Sequence, residues 1–160
     1  RGIIGLRTNV LTATFGEAIM THRFVGYEPF KGTIPERNAG SLIAMDGGSV
    51  TAYALDKLQD RGKFFIEPGD EVYMGMVIGE HNRQNDLALN VQREKKLTNM
   101  RASGSDENII LTPPIVFTLE QAMAYINDDE LIEITPKSIR LRKKLLKEHE
   151  RKRSSYDAKN

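Results

Sequence analysis

The chain has 160 residues, 23 Lys and Arg against 22 Asp and Glu, and no cysteine. That length suits one ordinary domain or two small ones, and the lack of cysteine excludes disulfides and thiolate metal sites. Apolar content of 39% with 28% charged residues is that of a soluble globular protein; no run is long enough to cross a bilayer, and no signal-peptide pattern opens the sequence. The net charge of +1 hides an asymmetry: residues 1–136 carry a balance of −6 and residues 137–160 one of +7. Such polarity suggests one end that faces a polyanion.

The chain opens Arg-Gly-Ile-Ile-Gly, without methionine, and reads as a piece of something longer. Gly2 and Gly5 bracket a turn, residues 6–13 form a short helix, and Gly16 marks its end. Residues 18–27 read as an extended strand with Ile19, Phe24, Val25 and Tyr27 as its larger apolar members. One helix and one strand cannot close a core, which agrees with the truncation reading. Pro29, Gly32, Pro35, Asn38 and Gly40 make residues 28–40 the best linker.

After the linker, residues 41–45 read as a strand and Asp46-Gly47-Gly48 as a tight turn. Ala52, Leu55 and Leu58 fall at helical spacing, with Gly62 placed for a left-handed C-terminal cap. Residues 64–66, a Glu-Pro-Gly-Asp turn, Val72-Tyr73 and residues 76–78 then give short strands. The turn and its glycines resemble the pattern of small β-barrels; its carboxylates lack the spacing of a calcium loop. Leu87, Leu89 and Val91 alternate as one more strand.

Residues 95–107 break the pattern. Lys95, Lys96 and Arg101 are interleaved with Thr98, Asn99, Ser103, Gly104 and Ser105, and only Leu97 and Met100 are large and apolar. Neither periodicity runs through the segment. Two readings stand: a solvated surface loop, or a set of donors suited to an irregular phosphate-and-sugar surface.

Beyond it, residues 109–111 are a short apolar run closed by Pro113-Pro114. Thr118-Leu-Glu-Gln121 is a capping box that opens a helix through Ile126, and residues 131–134 read as a strand. Thr135 then caps a helix with Pro136 at its first position, running from Ser138 to His149. Arg140, Lys143, Lys144 and Lys147 share one broad face of that helix, with Arg142 to one side. RNA phosphate would answer such a charge density; a solvated surface helix is the plain alternative. Residues 151–160 read as a fraying end.

No phosphate-binding glycine loop or dinucleotide fingerprint is present. His22, His81 and His149 lack zinc spacing and read as structural or surface residues. Residues 80–86 gather acid, base and amide groups, with His81 and Asp86 as the conceivable catalytic pair. No nucleophile accompanies them, and a polar turn after a strand accounts for the same residues.

Taken together, RGIIGLRTNVLT, GYEPFKG, AYALDKLQDRG, FIEPGDEVYMGMVIGEH, KKLTNMRASGSDE and DDELIEITPKSIRLRKK resemble the C-terminal region of the BipA/TypA family of translational GTPases, over nearly the whole chain. The resemblance implies an α+β fold. Residues 1–32 would be the second half of a ferredoxin-like domain V of the elongation-factor-G type. Residues 33–153 would be the family's own β-rich C-terminal domain with helices, and residues 154–160 a disordered tail. It also implies that GTP and Mg²⁺ belong to an N-terminal domain absent here, so no cofactor is expected in this chain and no catalytic residue is assigned.

By the same resemblance, the partners are the 70S ribosome, its 23S rRNA and A-site tRNA, in the cytoplasm, with no membrane role and the isolated chain a monomer. The segment 95–107 and the basic stretch 137–144 match the parts that reach toward RNA. We expect Lys95, Lys96, Arg101, Lys137, Arg140, Arg142, Lys143 and Lys144 to neutralise phosphates. Asn99, Ser103 and Ser105 would hydrogen-bond sugar or base edges. The competing expectation is a protein-interaction module using the acidic turn Asp128-Asp129-Glu130 or the basic helix.

Overall fold

A computed structural model describes residues 3–30, 32, 37–94 and 109–157. Expectations for Lys95, Lys96, Asn99, Arg101, Ser103 and Ser105 lie outside the described residues.

The first helix, α1 (Leu6–Ala13), begins behind Gly5, whose φ of 73° only glycine adopts freely. It buries none of its residues. The strand expected over 18–27 does not form. No described segment pairs with it, and Phe24, Val25 and Tyr27 stand exposed; an extended run without a neighbour has no ladder to join.

The body then follows in order: β1 (Ser41–Ala44), β2 (Gly48–Ser49), α2 (Ala52–Leu58) with a 3₁₀ turn (Gln59–Arg61), β3 (Gly62–Phe64), β4 (Glu71–Val72), β5 (Met76–His81) and β6 (Leu87–Leu89). After the undescribed segment come α3 (Leu119–Tyr125), β7 (Glu130–Ile134), β8 (Ile139–Lys143) and α4 (Glu148–Asp157). The Thr51 hydroxyl caps α2 by accepting from Ala54 N. At α3 both halves of the expected capping box are present: Gln121 N donates to Thr118 Oγ1 and Thr118 N to Gln121 Oε1. No helix among the described residues is long and apolar enough to cross a membrane.

Strand β5 is the axis of the main sheet. Along one edge it pairs antiparallel with β1 from Ile43 to Ser41, with a bulge between Leu42 and Ile43. Its other edge is shared: Gly79–His81 pair with β3, and Met76 and Val77 pair with β8. Strand β6 lies parallel to β1, β7 antiparallel to β8, and β2 and β4 form a separate ribbon. Two strands approach closely at Gly79, where a Cβ would sit 2.6 Å from the Lys63 carbonyl oxygen.

Alternation along β5 supplies two cores. Met76 and Ile78 join Leu42, Leu55, Phe64 and Val72 on the face covered by α2. Val77 turns the other way, to Leu141, Ala122, Phe65, Phe117 and Tyr125 beneath α3. This is the mixed α/β sheet fold that the sequence led us to expect.

Two local expectations are corrected. Gly62 has a φ of 166°, ordinary extended backbone, and opens β3 instead of capping a helix in the left-handed region. The basic helix over 138–149 is absent. Thr135 closes a tight turn, its N–H donating to Ser138 O and its hydroxyl accepting from Ser138 N, and β8 runs back along β7 with Ile134 opposite Ile139 and Glu130 opposite Lys143. Helix α4 starts later and continues to Asp157, through positions read from the sequence as a disordered tail.

Candidate nucleic-acid interface

Strand geometry divides the basic stretch by parity, because neighbouring side chains leave opposite faces of a sheet. Ile139, Leu141 and Lys143 turn inward toward α3; Arg140 and Arg142 turn to the other face. Lys137 occupies the exposed tip of the β7–β8 hairpin, and Lys144 is exposed just past the strand. The expected single cationic face therefore does not exist.

Lys143 is removed from any RNA-facing role by burial. Its side chain is 2% exposed, and its ammonium lies 2.7 Å from Asp86, 2.8 Å from Asp129 and 3.0 Å from Glu130. Glu130 is itself closed to solvent and accepts from Arg37 Nη2 at 2.8 Å, from the Ser41 hydroxyl and from Asn127 N. Arg37 donates further to Ala39 O and Ser41 Oγ, and its guanidinium lies 4.2 Å over the Tyr125 ring. The Ser41 N–H donates to Asp86 Oδ1. One polar cluster thus ties the linker, β1, the β5–β6 turn, α3 and the β7–β8 hairpin together.

Burial alone would raise the Glu130 pKa, but Lys143, the Ser41 and Asn127 hydrogen bonds and Arg37 outweigh it and hold the carboxyl below its ordinary value. Burial would likewise lower Lys143. The bonds to Asp129 and Asp86 and the field of Glu130 reverse that, so its pKa is raised. Sequence reading missed this cluster, since nothing local couples Asp86 to Lys143. The inward charge at the third position of the Ile139-Leu141-Lys143 alternation was the available signal.

The other sequence candidates are similarly committed. Glu130 and Asp129 of the acidic turn face Lys143, while Asp128 and Asp129 stay exposed. His81 is buried, its ring nitrogen against the Asn85 carbonyl, while Asp86 serves the cluster. Arg142 pairs with Glu133 at 2.8 Å, and Glu133 also accepts from the Tyr73 hydroxyl. Burial first, and that hydrogen bond second, push the Tyr73 pKa well above the usual phenol range. On α4, Lys152 lies 2.6 Å from Glu148, and Arg151 is turned back onto the Leu145 and Leu146 carbonyls.

Lys137 and Arg140 remain. Neither has an ion pair among the described residues, and the fold brings both to one cleft of about 210 Å³. Phe65, Phe117 and Ile139 are its apolar members, Ser138 adds a hydroxyl, and no carboxylate is among its described lining residues. Phe65 and Phe117 meet edge-on at 4.8 Å between centroids. Cations beside an aromatic surface suit a nucleotide strand, whose phosphates and bases demand those two chemistries.

The fold and this cleft define a mixed α/β domain with a small cationic, aromatic-lined surface. Residues 39–148 match the TypA/BipA C-terminal domain, and the chain belongs to that family. It is 52% identical over 158 residues to a large ribosomal subunit assembly factor BipA of Buchnera aphidicola, covering 98% of this chain and 26% of that protein. Proteins of the same description from Haemophilus influenzae and Escherichia coli are 51% and 49% identical over 156 residues, each covering 97% of this chain and 25% and 26% of theirs. The chain spans about a quarter of the length of these relatives.

Proposed function

We propose that this chain is the RNA-contacting C-terminal part of a BipA-type translational GTPase that acts in the cytoplasm on the ribosome and its large subunit. Nucleotide hydrolysis, with GTP and Mg²⁺, belongs to the rest of such a protein, and no residue of this chain takes part in it. The observation that carries the reading is the cleft that Lys137 and Arg140 line together with Phe65 and Phe117, with no carboxylate among its described lining residues. Family membership supports it, as do relatives known as large ribosomal subunit assembly factors.

In this reading Lys137, Arg140 and the exposed Lys144 meet phosphates, together with Lys95, Lys96 and Arg101. Asn99, Ser103 and Ser105 read sugar or base edges of 23S rRNA or of A-site tRNA on the 70S ribosome. Arg142 and Lys143 hold the domain together instead. The test is co-sedimentation of the chain with ribosomes and large subunits over a salt series. Binding that weakens with salt, and weakens further in Lys137→Glu/Arg140→Glu and in Lys95→Glu/Arg101→Glu, supports the reading. Equal binding by all three proteins at every salt concentration overturns it.

A further inference from the structure

A second groove opens on the other side of the 115–117 segment. Helix α1 provides Thr8, Asn9 and Thr12 along one wall, and α3 provides Gln121 and Tyr125 along the other, enclosing about 700 Å³. The helices meet closely at one end of it: a Cβ on Gly5 would lie 2.8 Å from the Ala124 Cβ. As in the Lys137–Arg140 cleft, no carboxylate is among the described residues that line this groove. Two grooves beside α4 contrast sharply, being lined by Asp86, Asp128, Asp129 or Glu148.

The α1–α3 groove and the Lys137–Arg140 cleft share a wall. Ile115, Val116 and Phe117 line both. Three rings run beneath that wall, Phe65 to Phe117 at 4.8 Å and Phe117 to Tyr125 at 4.9 Å. Val116 itself is 81% exposed. Gln121 has its Oε1 committed to Thr118 N, which leaves the amide NH₂ to the groove, beside the Asn9 amide and the hydroxyls of Thr8 and Thr12.

We propose that the two grooves form one track for single-stranded RNA, crossing the chain at Val116. This rests on the RNA-contacting reading above and extends it to a second surface. The Lys137–Arg140 end takes a phosphate, and the α1–α3 end takes the sugar and base of a neighbouring nucleotide. The chemistry follows the two linings: Lys137, Arg140 and the Ser138 hydroxyl at one end, and amides and hydroxyls with the Arg37 guanidinium and an aromatic wall at the other. Amides and hydroxyls both donate and accept, which matches the 2′-hydroxyl and base edges of an unpaired strand. With no carboxylate among the described lining residues, the route is open to a polyanion.

The experiment measures binding of the chain to a fluorescent six-nucleotide single-stranded RNA and to the DNA of the same sequence, by anisotropy. Val116→Glu places a carboxylate at the crossing, on a side chain already in solvent, and is expected to weaken RNA binding about tenfold. Asn9→Ala, on the exposed side of α1, is expected to narrow the preference for RNA over DNA while leaving the salt dependence unchanged. Circular dichroism and thermal melting confirm that both variants are folded. If both bind like the parent while Lys137→Glu/Arg140→Glu binds more weakly, the track is wrong and the RNA-contacting reading stands. If the lysine–arginine variant also binds like the parent, both fall.

Discussion

Glu130 and Lys143 face each other directly across the β7–β8 ladder, their carboxylate and ammonium 3.0 Å apart and both side chains closed to solvent. A pair placed this deep is costly to break from one side, because the survivor keeps its charge without its partner. Lys143→Met should therefore lose about 3–5 kcal/mol of stability in urea unfolding. Adding Glu130→Gln to that variant should recover only a small part of the loss, since Glu130 still pairs with Arg37, which would then lose its carboxylate. A double variant no more stable than the single one would place the main contribution of Lys143 with Asp86 and Asp129.

The same cluster sets a pH window. Glu130 titrates below its ordinary 4.5 in the folded state, so its contribution is fully present above that value and is lost as pH falls through the folded pKa. Lys143 titrates above its ordinary 10.5, so its contribution is present below that value and is lost as pH rises through the folded pKa. Urea midpoints should be flat between these limits and decline on both sides. Glu130→Gln should show a lower plateau and a shallower acid limb.

The reciprocal hydrogen bonds of Thr118 and Gln121 fix the start of α3, whose Ala122 is fully buried against the second core. Thr118→Ala should cost about 1 kcal/mol. Because α3 roofs the aromatic trio, near-ultraviolet circular dichroism of Phe65, Phe117 and Tyr125 should melt at the same reduced temperature as the far-ultraviolet signal. Separate transitions would show that α3 frays independently of the sheet.

Salt dependence separates the cations of the proposed interface from structural ones. For single strands, the slope of log affinity against log salt is about −0.7 per neutralised phosphate. Lys137→Ala and Arg140→Ala should each flatten the slope by about that amount. Arg142→Ala, which loses a bond to Glu133, should lower stability and leave the slope alone.

The sequence made some of this fold readable and hid the rest for identifiable reasons. Thr118-x-x-Gln121, Ala52-x-x-Leu55 and the β7 strand were legible because their signals are local. Residues 138–149 were misread because Thr135-Pro136 imitates a helix start and a dense basic run imitates a helix face. The alternation of Ile139 and Leu141 pointed to a strand, but an inward lysine broke the pattern. Its carboxylate partners come from β7 and from the β5–β6 turn, and only the folded sheet brings them together. Lys137 and Arg140 were legible as cations, yet the cleft they line also takes in Phe65 and Phe117, which no spacing connects to them.

Helix α2 has one more consequence. The Thr51 hydroxyl donates to Arg93 O at its start, and Gln59 bonds Ile110 O and Thr112 at its end. The chain's departure at Arg93 and its return at Ile110 are thus clamped to opposite ends of one rigid rod roughly 12 Å long. Closure of the intervening stretch is settled by the body of the domain and not by the stretch itself.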